Sequence, residues 1–336
     1  MVYSYHINSY LCACSSLYMK QLFPFLLVAL GLQTAVQAQS SEELQKRTVS
    51  DTILQHRTLT VPSPFNAQKA LQELFPGKYY NLSKDKYKNE LINWDCKTCA
   101  VKKYPDVNED AAGDFPFSEG VATRLINEIS YQDSSGRQFK VICFNHSEYD
   151  SEGMQVSRFT GGLLGLAKFE QHESNWDLVA FQPAVAAYGA FSQCPAPKLL
   201  QIGKDQFAFI LKHLNGPGGG PFDGDYYLIA GLNGSYQQIM AAYGIERTET
   251  SAEEGYSFWN SEYKAPVSDK KYFRDIIITT QGTYRSTDPD AERLPEELRN
   301  LVKGKKTARF ILEQRYVYKG SKGYVLQQPL TASLTH

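Results

Sequence analysis

Two short cysteine motifs hold the residues whose types and spacing most readily suggest chemistry. Cys96-Lys97-Thr98-Cys99 is a C-x-x-C, and Cys143-Phe144-Asn145-His146 is a C-x-x-H. Thiolates and an imidazole in this pattern are the donors of a tetrahedral zinc site. On a strand, however, Cys143 and His146 point to opposite faces, so one metal requires a sharp turn at Asn145. A thioredoxin-like redox pair needs its first cysteine at a helix N-terminus, whereas here the helical pattern ends before Cys96. For an exported chain the expectation is therefore that Cys96, Cys99, Cys143 and Cys194 pair as disulfides, in any of three connectivities. A metal held by Cys96, Cys99, Cys143 and His146 is the alternative. No other cofactor is expected.

His146, Glu148, Asp150 and Glu152 alternate and would share one strand face. Such a cluster could hold a divalent cation or do acid–base work, and it also reads as a solvated acidic loop before Gly153. His172-Glu173 lacks the second histidine of H-E-x-x-H, and no G-x-S-x-G occurs. With His56 in a leader and His336 at the terminus, only His146, His172 and His213 remain for catalysis. His213-Leu-Asn-Gly-Pro-Gly-Gly-Gly-Pro221 has the glycines of a phosphate loop but leads into a strand, so it reads as a mobile connection or lip, with Gly216 to Gly220 at its edge. Trp176, Tyr226, Tyr227 and Trp259 are candidates for an aromatic ligand platform, in competition with ordinary core packing.

The elements that position these residues are mostly strands. Residues 39–117 form a polar, helix-leaning N-terminal region. Ser63-Pro64 opens a short helix with Ala67, Ala70, Leu71 and Leu74 on one face, and Ser83 caps a second helix carrying Tyr87, Leu91 and Trp94. The acidic stretch from Pro105 to Pro116 marks the boundary with a β domain over 118–330.

In that domain the apolar period becomes two. Hairpins are predicted for Thr123–Tyr131 with Phe139–Cys143, for Leu163–Phe169 with Trp176–Phe181, and for Leu199–Ile202 with Gln206–Leu211. Another joins Tyr226–Ala230 to Tyr236–Met240 through Asn233-Gly234, a pair that accepts positive φ at low cost. Between Tyr243 and Lys270 the chain reads as surface loop. Tyr272–Thr280 is a strand, a short helical insertion follows near 289–303, and Arg309–Tyr318 with Tyr324–Gln327 closes the series. The fold class is all-β dominated, an antiparallel hairpin series arranged as a sandwich or partial propeller, with α+β as the alternative. Asp223-Gly224-Asp225 ahead of Tyr226–Leu228, and Asp275 ahead of Ile276–Ile278, resemble the FG-GAP-type repeats of β-propellers. That resemblance implies hairpin repeats, and because the Asp-rich calcium loop is missing it carries over no site.

Met19-Lys20, the apolar Leu22–Leu32 and Ala35-Val36-Gln37-Ala38 form a signal-peptide pattern over residues 1–38, with Met19 a possible true start. The protein is thus expected to be exported, to a periplasmic or extracellular location. No later run reaches the roughly 18 apolar residues of a membrane helix. With 35 Lys and Arg against 36 Asp and Glu and no basic run with interleaved aromatics, nucleic acid is not an expected partner. The expected function is a non-enzymatic β-rich binding or envelope-associated module, its partner an unidentified ligand or envelope protein. The alternative is a secreted, carbohydrate-directed hydrolase, whose two carboxylates spacing alone would not reveal.

Overall fold

The apolar runs Leu163-Leu-Gly-Leu-Ala-Lys-Phe169, Phe207-Ala-Phe-Ile-Leu211 and Tyr226-Tyr-Leu-Ile-Ala230 are too continuous for strands with one wet face. They belong in the middle of a stack, buried on both sides. The computed structural model describes residues 43–55, 57–82, 89–109, 112–155, 158–249 and 255–335, and it puts these runs at the centre of two packed sheets. The expected signal segment, His56, His336 and the Ser83–Tyr87 part of the second predicted helix lie outside the described residues.

The N-terminal part contributes β1 (Arg47–Thr48), β2 (Thr60–Pro62), β3 (Lys78–Asn81) and β4 (Glu90–Asp95), then the small hairpin β5 (Lys102–Tyr104) and β6 (Gly113–Phe115). Next come β7 (Val121–Gln132), β8 (Gln138–Glu148), β9 (Gly162–His172), β10 (Asn175–Gln182) and β11 (Ala187–Tyr188). The first sheet has nine strands in the order β1-β4-β7-β8-β9-β10-β2, with β3 on β4 and β11 on β9. The second is an eight-stranded antiparallel meander, curled into a half-barrel. It comprises β12 (Lys198–Gly203), β13 (Gln206–Asn215), β14 (Asp223–Leu232), β15 (Ser235–Arg247), β16 (Phe258–Lys264), β17 (Ile276–Arg285), β18 (Thr307–Tyr318) and β19 (Tyr324–Thr335).

Side-chain alternation divides the interior into layers. On β8, Ile142 and Phe144 face an outer core with Leu71, Leu74 and Trp94, while Val141 and Cys143 face the second sheet. On β13 and β14, Phe209, Leu211, Tyr227 and Ile229 meet them there, and Ala208, Ile210, Tyr226 and Leu228 fill the hollow of the half-barrel. That hollow is therefore packed rather than open. Helix α1 (Ala67–Leu74) covers the first sheet, its Asn66 cap accepting from the Lys69 N–H at 2.9 Å. Helix α2 (Glu296–Val302) packs Leu298 and Val302 on Trp259, Phe310 and Leu312.

The all-β expectation holds, and the predicted hairpins form, with Asn233 and Gly234 at φ 52° and 82°. Several finer expectations do not. Leu91 and Trp94 sit on strand β4 rather than a helix, because the aromatic outer core rewards burial of consecutive Leu91-Ile-Asn-Trp94. The stretch from Tyr243 to Lys270 carries the end of β15 and all of β16 instead of surface loop. The propeller resemblance ends at the local hairpin: eight strands share one continuous sheet rather than separate blades. Strands β1 to β4, from before residue 117, join the same sheet as β7 to β11, so the expected boundary does not divide one sheet from another.

Candidate functional site

Alternation along β9 sends Leu164 and Leu166 into the layer between the sheets, and the next residue of that face is Lys168. A lysine at a core-facing position breaks the pattern of its own strand. The layer opens around it into a cleft of about 230 Å³, walled by Tyr131 and Phe139 of the first sheet and Phe207, Phe209 and Tyr236 of the second. Tyr131 packs 4.5 Å from Phe207 and 5.2 Å from Phe139, and Phe209 meets Tyr236 edge to face at 5.8 Å. A second hollow of about 400 Å³ shares Arg137, Phe139, Lys168 and Tyr236 and continues along Phe181.

The Lys168 ammonium lies 3.9 Å from the centroid of Phe139 and 5.6 Å from that of Tyr131. It has no hydrogen bond or ion pair among the described residues; Glu170, the carboxylate beside it, reaches Arg137 instead at 3.5 Å. Burial lowers the Lys168 pKa, Glu170 and, more weakly, Asp133 oppose that shift, and Arg137 adds to it. A cation–π contact contributes about 0.5–2 kcal/mol, whereas fully removing an ammonium from water costs several.

The mouth of the cleft is closed at one side by a clasp between turns. Ser134 donates its backbone N–H and its hydroxyl to the Asp205 carboxylate at 2.7 and 2.6 Å. Asp133 accepts from the Ser135 hydroxyl and from Arg137 Nε at 2.7 and 2.8 Å. These bonds, the Ser135 hydroxyl first, hold Asp133 down at about 2, and the Ser134 hydroxyl similarly lowers Asp205.

The residues singled out in the sequence fall elsewhere. Trp176, Tyr226, Tyr227 and Trp259 are all buried, and each belongs to a different one of the four apolar clusters. They do not form a shared exposed platform. Cys96 and Cys99 are bonded to each other, S–S 2.02 Å, while Cys143 and Cys194 are buried free thiols in the inter-sheet layer. The metal alternative fails on geometry, since Cys96 and Cys99 are oxidised and His146 faces away from Cys143 across β8.

His146 instead completes a buried chain. The Trp94 indole N–H donates to Thr123 Oγ1 at 2.8 Å, the Thr123 hydroxyl donates to His146 Nδ1 at 2.7 Å, and His146 Nε2–H donates to the Pro183 carbonyl at 3.1 Å. Asp150 is taken up by the Arg124 guanidinium at 2.8 Å, so the expected His-carboxylate face is dispersed. His213 is also buried, its Nδ1 accepting from the Gly189 N–H at 3.0 Å. The glycine loop sits at the Asn215/Asp223 end of β13–β14, whereas the aromatic cleft lies at the opposite, Ala208/Ala230 end. It is not a lip of that cleft, and Arg158 Nη2 ties it down through the Gly216 carbonyl at 2.6 Å.

No protein-family model matches the chain, and no curated protein or solved structure matches it either. The site is defined by its own geometry: an aromatic cleft between two antiparallel sheets, lined by Lys168, which makes no direct ion pair among the described residues. The sequence signal for it was Lys168 in the register of Leu164 and Leu166.

Proposed function

We propose that the protein is an exported, non-enzymatic β-rich binding module of the cell envelope, and that it holds a small ligand with a planar apolar body and an anionic group in the cleft at Lys168. The observation that carries this reading is the Lys168 ammonium, half-buried against Phe139 and without a hydrogen bond or direct ion pair among the described residues. An anionic group on the ligand would supply the missing partner, and the rings would cover its apolar body. A cavity of about 230 Å³ falls below the roughly 300–1,000 Å³ of drug-sized pockets, which favours a fragment with one or two rings.

The carboxylates at the cleft support binding over carbohydrate hydrolysis. A glycosidase needs one carboxyl raised enough to donate a proton near neutral pH. Asp133 and Asp205 are both lowered and stay ionised.

The test is calorimetric titration of the mature chain with 2-naphthoate and with uncharged 2-naphthylmethanol. The acid should bind at least tenfold tighter, and that preference should vanish in Lys168→Met. Equal affinity for both probes in the wild type contradicts the reading. Export is tested separately by the N-terminus of the secreted protein, expected at Gln39.

A further inference from the structure

A second cavity, of about 370 Å³, lies where the β5–β6 hairpin meets the end of β8, and its walls include Tyr104, Glu109, Asp114, Phe117 and Glu148. Asp106 also reaches it, but its carboxylate already accepts from the Gly161 N–H at 2.8 Å and from the Asn108 N–H and side-chain amide at 2.9 Å each. Glu109 and Glu148 are exposed and have no ion-pair partner among the described residues, while Asp114 meets only the solvent-exposed Lys103.

Tyr104 distinguishes this cavity from a patch of acidic surface. It is only 7 % exposed, yet its hydroxyl makes no hydrogen bond among the described residues. The ring lies flat on Gly113, its cross-strand partner: a Cβ there would fall 2.5 Å from Tyr104 Cζ and 2.6 Å from its oxygen. Only glycine at 113 lets the phenol occupy this place. Phe117 meets the Tyr104 ring edge to face at 6.0 Å, giving the cavity an aromatic wall beside its carboxylate-bearing residues. The negative field is strong enough that, after burial itself, Asp106, Glu109, Glu148 and Asp114 each push the Tyr104 pKa further up.

The Tyr104 oxygen lines the cavity and is not committed to a partner among the described residues, so it can accept an N–H from a bound donor. Carboxylates beside aromatic rings are the recognition pattern for organic cations, which combine N–H donors with a charge attracted to ring faces. A bare metal ion fits less well, because among the described residues no three His, Cys, Asp or Glu side chains are grouped to share one. We propose that this cavity binds an alkylammonium or guanidinium ion, with Glu109 and Glu148 pairing the charge and the Tyr104 oxygen accepting an N–H. The site is independent of the cleft at Lys168.

The experiment is calorimetric titration of the mature chain with agmatine, with a capped Gly-Arg-Gly peptide and with calcium chloride. Agmatine or the peptide should bind saturably, and the tighter of the two identifies a free amine or a peptide side chain as the source. The Glu109→Gln/Glu148→Gln double variant, altered only at exposed positions, should weaken binding at least tenfold. Tyr104→Phe should weaken it several-fold at an unchanged circular-dichroism spectrum, and Lys168→Met should leave it unchanged. No saturable binding of either organic cation, undiminished binding in the double variant, or tighter binding of calcium than of agmatine would each overturn the proposal.

Discussion

Thr123 and His146 face each other across the β7–β8 ladder, with Thr123 Oγ1 2.7 Å from His146 Nδ1. Because the Pro183 carbonyl takes the proton on Nε2, the imidazole is held in one neutral tautomer. Phe75, Phe115, Phe144 and Trp94 surround it with ring centroids 4.8–6.0 Å away. Burial lowers its pKa from the usual 6.5 to about 3, with the bond to Pro183 opposing the shift.

A histidine whose folded pKa is depressed contributes stability that is complete above its unfolded pKa and is lost as pH falls toward the folded value. Between pH 6.5 and pH 3 the free energy of unfolding should therefore drop by roughly 1.4 kcal/mol per pH unit from this group alone. Urea midpoints of the wild type and His146→Gln measured across that window check it. The variant, less stable at pH 7, should show a shallower slope by about this amount.

The β architecture was legible because hairpin chemistry is local. Asn233-Gly234, Gly203-Lys-Asp205 and the Asp133–Gly136 turn each specify a reversal within a few residues. The cleft was not, since its walls come from β7, β8, β9, β13 and β15, which no local pattern connects. Trp176, Tyr226, Tyr227 and Trp259 misled for a related reason. Aromatic residues mark cores and binding faces equally, and only the layering of two-sided strands assigns these four to the core. The disulfide pairing was also beyond the sequence, because whether Cys143 approaches Cys96 depends on which face of β8 is turned outward.

Arg247 is a buried charge held by three carboxylates. Its side chain is 1 % exposed and meets Asp223, Asp288 and Asp290 at 3.3, 3.5 and 2.7 Å, joining β14 and β15 to the turn before α2. Truncation leaves Asp288, itself 2 % exposed, without its cation. Arg247→Met should cost about 3–5 kcal/mol by urea denaturation, while Arg293→Met, at an exposed pair with Asp223, should cost less than about 1 kcal/mol.

The two thiols of the inter-sheet layer give a labelling prediction. Burial raises the pKa of both Cys143 and Cys194, which keeps them protonated and shielded. In the mature chain an alkylating reagent should modify no cysteine under native conditions and two after denaturation without reductant. Reduction before denatured labelling should raise the number to four by opening the Cys96–Cys99 bond.

The clasp of Ser134 on Asp205 should matter to the cleft more than to the fold, since it joins two exposed turns. Asp205→Asn should weaken 2-naphthoate binding a few-fold and leave the urea midpoint near the wild-type value. With Asp205 lowered in the fold, the clasp contributes fully above the ordinary carboxylate range and weakens only on acidification below it. Probe affinity should accordingly show no step from this group between pH 5 and pH 8.

The central claim is that Lys168 waits for an anion. The most direct measurement is the pKa of its ammonium, read by NMR of the ε-methylene with and without 2-naphthoate. The free protein should show a value below that of an ordinary lysine, which rises on saturation with the acid and does not move with 2-naphthylmethanol. A lysine that titrates normally in the free protein, or whose titration is unchanged by the acid at saturating concentration, would contradict the account.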